Sequence, residues 1–238
     1  MMTLCGVMFS LVVQEVDVAA LLKRADEQAG NFTDVKMVTT MVVDDKGSTK
    51  TAKFETMQKG DKRFVRFLAP ADAKGMTVLV EEGGSSFVYL PQFQKVRRVS
   101  GHQQNQGLMD SDFSNEDLGS VRFGVGYDAA LVEDGDKVTK LKLTPQAGRD
   151  SAYDALLVSV EKDHLVYVDI EYQVGGKTVK RQTRSDIKMI REGFYMPCAI
   201  TMQDLTRPHK TTLTMDKVVA NSGLSDALFT KQALERQR

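Results

Sequence analysis

Tryptophan is absent from the 238 residues of this chain, and only two cysteines, five prolines and three histidines occur. Cys5 sits inside an N-terminal apolar segment, which leaves only Cys198 for the folded part. A disulfide framework and a Cys-x-x-Cys redox or metal motif are therefore excluded. His102, His164 and His209 stand apart, none with a second His or Cys at ligand spacing, which argues against zinc. An excess of one charge is lacking too. Lys plus Arg and Asp plus Glu number 32 each, so the chain has no dominant basic field of the kind bulk nucleic-acid binding needs. The N-terminal apolar run, residues 1–13, is too short to span a bilayer as a helix. Neither a Gly-x-Ser-x-Gly elbow nor a phosphate-binding loop is present. The carboxylates Asp110, Asp112, Glu116 and Asp117 do not make a calcium loop. Counting from Asp110 puts Asn115 and Val121 where the glycine and the terminal glutamate belong.

What remains is a chain with 42% apolar residues, twelve of them methionines, sized for one well-buried domain. Residues 1–13 have the length of a secretion signal's apolar region. Upstream basic residues and a clear small-x-small cleavage site are missing; a true start further upstream would account for the missing charges. The expectation is a signal remnant over 1–16, followed by a single domain over 17–238. The alternative is a buried first strand. Leu4-Cys5 is similar to a lipoprotein attachment site, but position 5 leaves no room for a signal before it.

Residues 17–30 read as an amphipathic helix. Asp17 caps it, Val18, Leu21, Leu22, Ala25 and Ala29 share a face, and Gly30 supplies a left-handed stop. After Gly30 the period changes to two, and turn residues punctuate the alternating runs, as at 44–48, 59–61, 133–136 and 175–176. One run, Val121, Phe123, Val125 and Tyr127, alternates with Arg122, Gly124 and Gly126, which suits curvature or a close backbone approach. Strands never alternate with helices, so a doubly wound parallel sheet is excluded. The prediction is mainly β: about eleven strands in one highly curved antiparallel sheet, with helices packed on its concave side.

Residues 87–118 have an unusual order of parts: a short apolar strand ending in Leu90-Pro91, the pair Arg97-Arg98, a polar loop, then an acidic segment. The acids fit the first turn of a short helix capped by Asp112 or Ser114. Arg97 and Arg98, adjacent on a strand, face opposite sides. They are either a plain surface pair or an anchor for a ligand head group. Leu90-Pro91, Lys95-Val96-Arg97-Arg98 and Ser111-Asp112-Phe113-Ser114-Asn115-Glu116-Asp117-Leu118 together resemble the signature of the outer-membrane lipoprotein-sorting proteins, in their LolA-like branch. Lys74-Gly75-Met76, Ser185-Asp186-Ile187-Lys188, Phe194-Tyr195-Met196-Pro197, Met202-Gln203-Asp204-Leu205, His209-Lys210-Thr211-Thr212-Leu213 and Leu228-Phe229-Thr230 extend the likeness over residues 17–234.

The resemblance implies an incomplete, half β-barrel lidded by helices. Its apolar cavity would hold lipid or lipoprotein acyl chains, with no cofactor, metal or catalysis. It implies a monomeric periplasmic carrier that takes cargo from an inner-membrane transporter to an outer-membrane acceptor. A sensor or interaction module on the same fold, or an accessory of a lipid exporter, is the alternative. The cavity residues expected are Phe54, Val65, Phe67, Val88, Leu90, Phe123, Val125, Val168 and Ile170, with Arg97 and Arg98 at the head group or rim. Each is equally a candidate for plain core, and a one-residue slip in strand phase moves every member to the other face.

Overall fold

The structure, a computed structural model, describes residues 16–82, 85–99, 108–114, 117, 122–149 and 151–236. The expected signal remnant lies outside the described residues except for residue 16, as does His102. Helix α1 (Val18–Ala29) begins where Asp17 accepts a hydrogen bond from the Ala20 amide at 2.9 Å. It buries Leu22 and Ala25 and packs Val18, Leu21 and Ala29 on the core. Gly30 does not make the expected left-handed stop, for its φ is −102°. Its missing side chain serves space instead, because a Cβ there would come within 2.8 Å of Arg122 Nη2.

The strands are β1 (Asp34–Asp45), β2 (Ser48–Lys59), β3 (Lys62–Ala69), β4 (Thr77–Val80), β5 (Ser86–Leu90), β6 (Lys95–Arg98) and β7 (Tyr127–Asp134). They continue as β8 (Val138–Pro145), β9 (Ala155–Glu161), β10 (Val166–Val174), β11 (Lys177–Arg191), β12 (Phe194–Asp204) and β13 (His209–Ala220). All thirteen join one antiparallel sheet in the order β6-β5-β4-β3-β2-β1-β13-β12-β11-β10-β9-β8-β7. The ends β6 and β7 do not pair, so the sheet is a curved, open half-barrel, mainly β as predicted. The total is thirteen where about eleven were expected, and it includes the short strands β4 and β6, four residues each, which pair with their neighbours.

One predicted strand moves. Residues 122–126 are irregular, and β7 begins only at Tyr127. Phe123 is buried in the core with α1 without joining a ladder, whereas Tyr127 opens β7 opposite Pro145. β7 itself is an edge strand with almost every residue after Tyr127 exposed or half-buried, so no period announces it.

The sheet carries a core on each face. On the concave side α1 and the segment 108–117 cover Met41, Phe54, Phe67, Leu141, Leu156, Tyr167, Ile170 and Met202. On the convex side Phe229 and Leu234 cover Met57, Phe64, Leu79, Phe87 and Tyr89. Leu234 belongs to the short helix α2 (Lys231–Glu235), whose Ala233 amide is capped by Thr230 Oγ1 at 3.2 Å. Lys59 and Lys62 pair with Asp226 just ahead of it, at 2.9 and 3.1 Å.

Candidate functional site

Because β6 and β7 are opposite edges of one open sheet, the chain between them must cross the mouth of the half-barrel. Within it, residues 108–114 and 117 are held by buried polar groups. Asp112 Oδ1 lies 2.6 Å from His209 Nδ1, and Thr211 Oγ1 donates to Asp112 Oδ2 at 2.6 Å. Lys180 Nζ donates to the Asp112 carbonyl at 2.9 Å and lies 3.3 Å from Asp117 Oδ2. The Tyr153 hydroxyl donates to Asp117 Oδ1 at 2.9 Å. Ser114 and Asp117 exchange amide-to-side-chain bonds at 2.8 and 3.2 Å, the reciprocal pattern of a capping box. Ser114 is thus the cap, while Asp112, the other expected cap, is a buried anchor. His209 is buried at the start of β13.

Helix α1 is fixed over the same face. Asp26 accepts from the Phe123 amide at 2.8 Å, the Gly124 amide at 2.6 Å and the Tyr167 hydroxyl at 2.5 Å. Burial and the Asp26 carboxylate push the Tyr167 phenol far above its ordinary pKa. In the last turn of the helix Gln28 Nε2 donates to the Tyr195 carbonyl at 3.0 Å, and just past it Asn31 Nδ2 donates to the Gly193 carbonyl at 2.7 Å.

Between these covers and the sheet lies a cavity of about 230 Å3. Its walls are largely apolar, with Met37, Phe54, Val65, Phe113, Ile200 and Met215 among them, and Arg63, Gln182 and Arg184 bring polar ends to it. Of the residues expected at a cavity, Phe54 and Val65 line this one. Phe67, Phe123 and Ile170 are buried in the concave core but do not line it. Val88 and Leu90 are half-buried on the strands toward the β6 edge and also stand off it.

Two expectations fail on geometry. Val125 is 75% exposed beside α1, because residues 122–126 do not form the predicted strand. Val168 sits at a register shift between Tyr167 and Asp169, so Tyr167 faces the cavity in its place. Arg97 and Arg98 are exposed on edge strand β6. Arg97 stands opposite Val88 with its guanidinium 5.9 Å from the Phe93 ring centre, while Arg98 donates to Ser85 Oγ at 3.3 Å. Neither lines the cavity. Sequence reasoning missed Arg63, Gln182 and Arg184, which sit in strands rich in charge, where an inward polar residue looks like its outward neighbours. Among the described residues, no group of three or more His, Cys, Asp or Glu is placed to hold a metal ion.

Comparison with known proteins agrees with this architecture. No curated protein matches the chain. A DUF1329 family protein from Desulfovibrio piger is 26% identical, over 91% of this chain and 98% of its own, with a TM-score of 0.81. A putative outer membrane lipoprotein-sorting protein domain from Vibrio parahaemolyticus is similar in fold at 22% identity, over 90% of this chain and 98% of its own, with a TM-score of 0.79. So is the LolA superfamily protein NE2245 from Nitrosomonas europaea, at 21% identity over 92% of this chain and 100% of its own, with a TM-score of 0.73. A family model whose description reads only "-like: Uncharacterized protein" matches residues 59–236, about three quarters of the chain. The chain belongs to the family whose model matches residues 59–236, and its fold, an open half-barrel with a crossing segment, is LolA-like, shared with these lipoprotein-sorting and LolA superfamily structures.

Proposed function

We propose that this protein is a periplasmic carrier that binds the acyl chains of lipoproteins or lipids and moves them toward the outer membrane. The lidded apolar cavity on the concave face carries this reading. Each methylene withdrawn from water contributes about 0.8 kcal/mol, so walls of Met, Phe, Val and Ile compensate a chain for leaving a bilayer. Methionines such as Met37 and Met215 adapt to chains of varied shape.

The volume of about 230 Å3 falls below the roughly 300–1,000 Å3 of most ligand pockets. This conformation therefore suits one narrow chain at most, and a bulkier cargo requires α1 or the crossing segment to move aside. Release is then the reverse motion. Cargo would pass from an inner-membrane transporter to an outer-membrane acceptor, with the carrier acting as a monomer and performing no chemistry.

Native mass spectrometry of the protein purified from a bacterial periplasm tests the reading. Bound lipid that a fluorescent acyl probe displaces is the expected result. A protein that is empty and has no affinity for acyl probes would overturn it.

A further inference from the structure

Among the described residues Arg184 has no counter-ion. It reaches the cavity from β11, and its Nε donates to Gln182 Oε1 at 2.6 Å. No ion pair involves it among the described residues, and burial pushes its pKa down. Two other arginines behave oppositely. Arg181 and Arg207 are held above the ordinary value by Asp169 and Asp204, with which they hydrogen-bond. The acid that shares the cavity, Asp117, already serves Tyr153, the Ser114 amide and Lys180. Withdrawing a charge even partly from water without a partner costs stability, and Arg184 is half-buried, so a ligand that supplies an anion would gain from it.

We propose that Arg184 binds the anionic head, a carboxylate or phosphate, of a single-chain amphiphile whose hydrocarbon lies along the apolar wall of this cavity. The inference rests on the carrier reading and names the class of ligand for that same site. Gln182 occupies Nε and so leaves both Nη groups to form the paired donors that suit either anion. The ligand would carry its charge to the half-buried Arg184 inside the cavity and not to the rim, where the exposed Arg97 and Arg98 lie.

The test uses the delipidated full chain and three probes of equal chain length: hexadecanoate, a hexadecanoyl lysophosphatidate and the methyl ester of hexadecanoic acid. Binding is read by displacement of an uncharged fluorescent acyl probe for the wild type, Arg184→Gln and Arg184→Lys. A charged hydrogen bond predicts that the wild type holds at least one anionic probe about 10–100-fold tighter than the ester. Arg184→Gln should abolish that preference while leaving ester binding intact, and Arg184→Lys should restore part of it. Preference for hexadecanoate alone identifies a free fatty acid, and preference for lysophosphatidate alone a phospholipid-type head; either supports the assignment. Equal affinity of the wild type for acid, phosphate and ester overturns it, as does a preference that survives in Arg184→Gln. A Gln variant that melts lower and loses all three probes alike marks Arg184 as structural and overturns it too. If no probe binds the wild type, the carrier reading itself falls.

Discussion

Gly124 has no room for a methyl group. A Cβ there would lie 2.9 Å from Asp26 Oδ2, so Gly124→Ala should push α1 off the sheet and cost about 1–3 kcal/mol, read as a lower denaturation midpoint. The bare glycine face in the sequence did signal close backbone approach, although the strand drawn around it was misplaced. Asp34 was not legible at all. Its carboxylate accepts from the Ser222 amide and hydroxyl, each at 2.8 Å, and from the Gly223 amide at 3.0 Å, nearly the whole chain away. Desolvation alone would raise its pKa, but the Ser222 and Gly223 donors outweigh it and hold the carboxyl below its ordinary value. A folded pKa below the unfolded one, about 3.9, gives stabilisation that is complete above about pH 4 and fades as pH falls through the folded value. Asp34→Asn should therefore lower stability at neutral pH by about 1–3 kcal/mol and flatten the loss below pH 4. Denaturant melts at pH 7 and across pH 2–5 check both parts.

Among the elements, α1 and the crossing segment are the ones that cover the cavity. The Asp26 carboxylate is the acceptor that three groups of other elements share, so Asp26→Ala leaves the Phe123 and Gly124 amides and the Tyr167 hydroxyl without it. Amide exchange across 18–29 should then quicken about tenfold or more, as for the loss of one charged hydrogen bond. Uptake of an acyl probe should quicken with it. If exchange accelerates evenly over the whole sheet instead, α1 is not a separate unit. The helix itself was plain in the sequence, because its cap and apolar face are local. The anchoring of the crossing segment was not. Asp112 looks like any helix-capping acid until β13 brings His209 and Thr211 to it, about a hundred residues later.

At the scale of the whole molecule, the sheet is dressed on both sides, and the two sides have separate tasks. Leu234 is fully buried against the convex face, so Leu234→Ala should cost about 2–5 kcal/mol of stability while leaving cavity affinity unchanged. A thermal melt paired with a probe titration separates the two effects. Period-two alternation and turn residues were enough to read a curved antiparallel sheet. They could not say that the last residues roof its outer face, because a short terminal helix has too few turns to display a period. Nor could they show which strand faces turn inward, since a single register shift at Val168 reverses the phase.

The strand order also bears on how quickly this protein is made. Every pairing joins neighbours in sequence except β1 with β13, which brings Val35 opposite Ala220. Each half of the sheet can therefore zip up from its own hairpins. The central seam must wait until both halves exist and a loop of nearly the entire chain has closed, an entropic cost that sequence-distant contacts carry. Until that seam forms, β1 and β13 are bare strand edges open to pairing with other chains, which makes the middle of the finished sheet the most aggregation-prone part of the unfinished one.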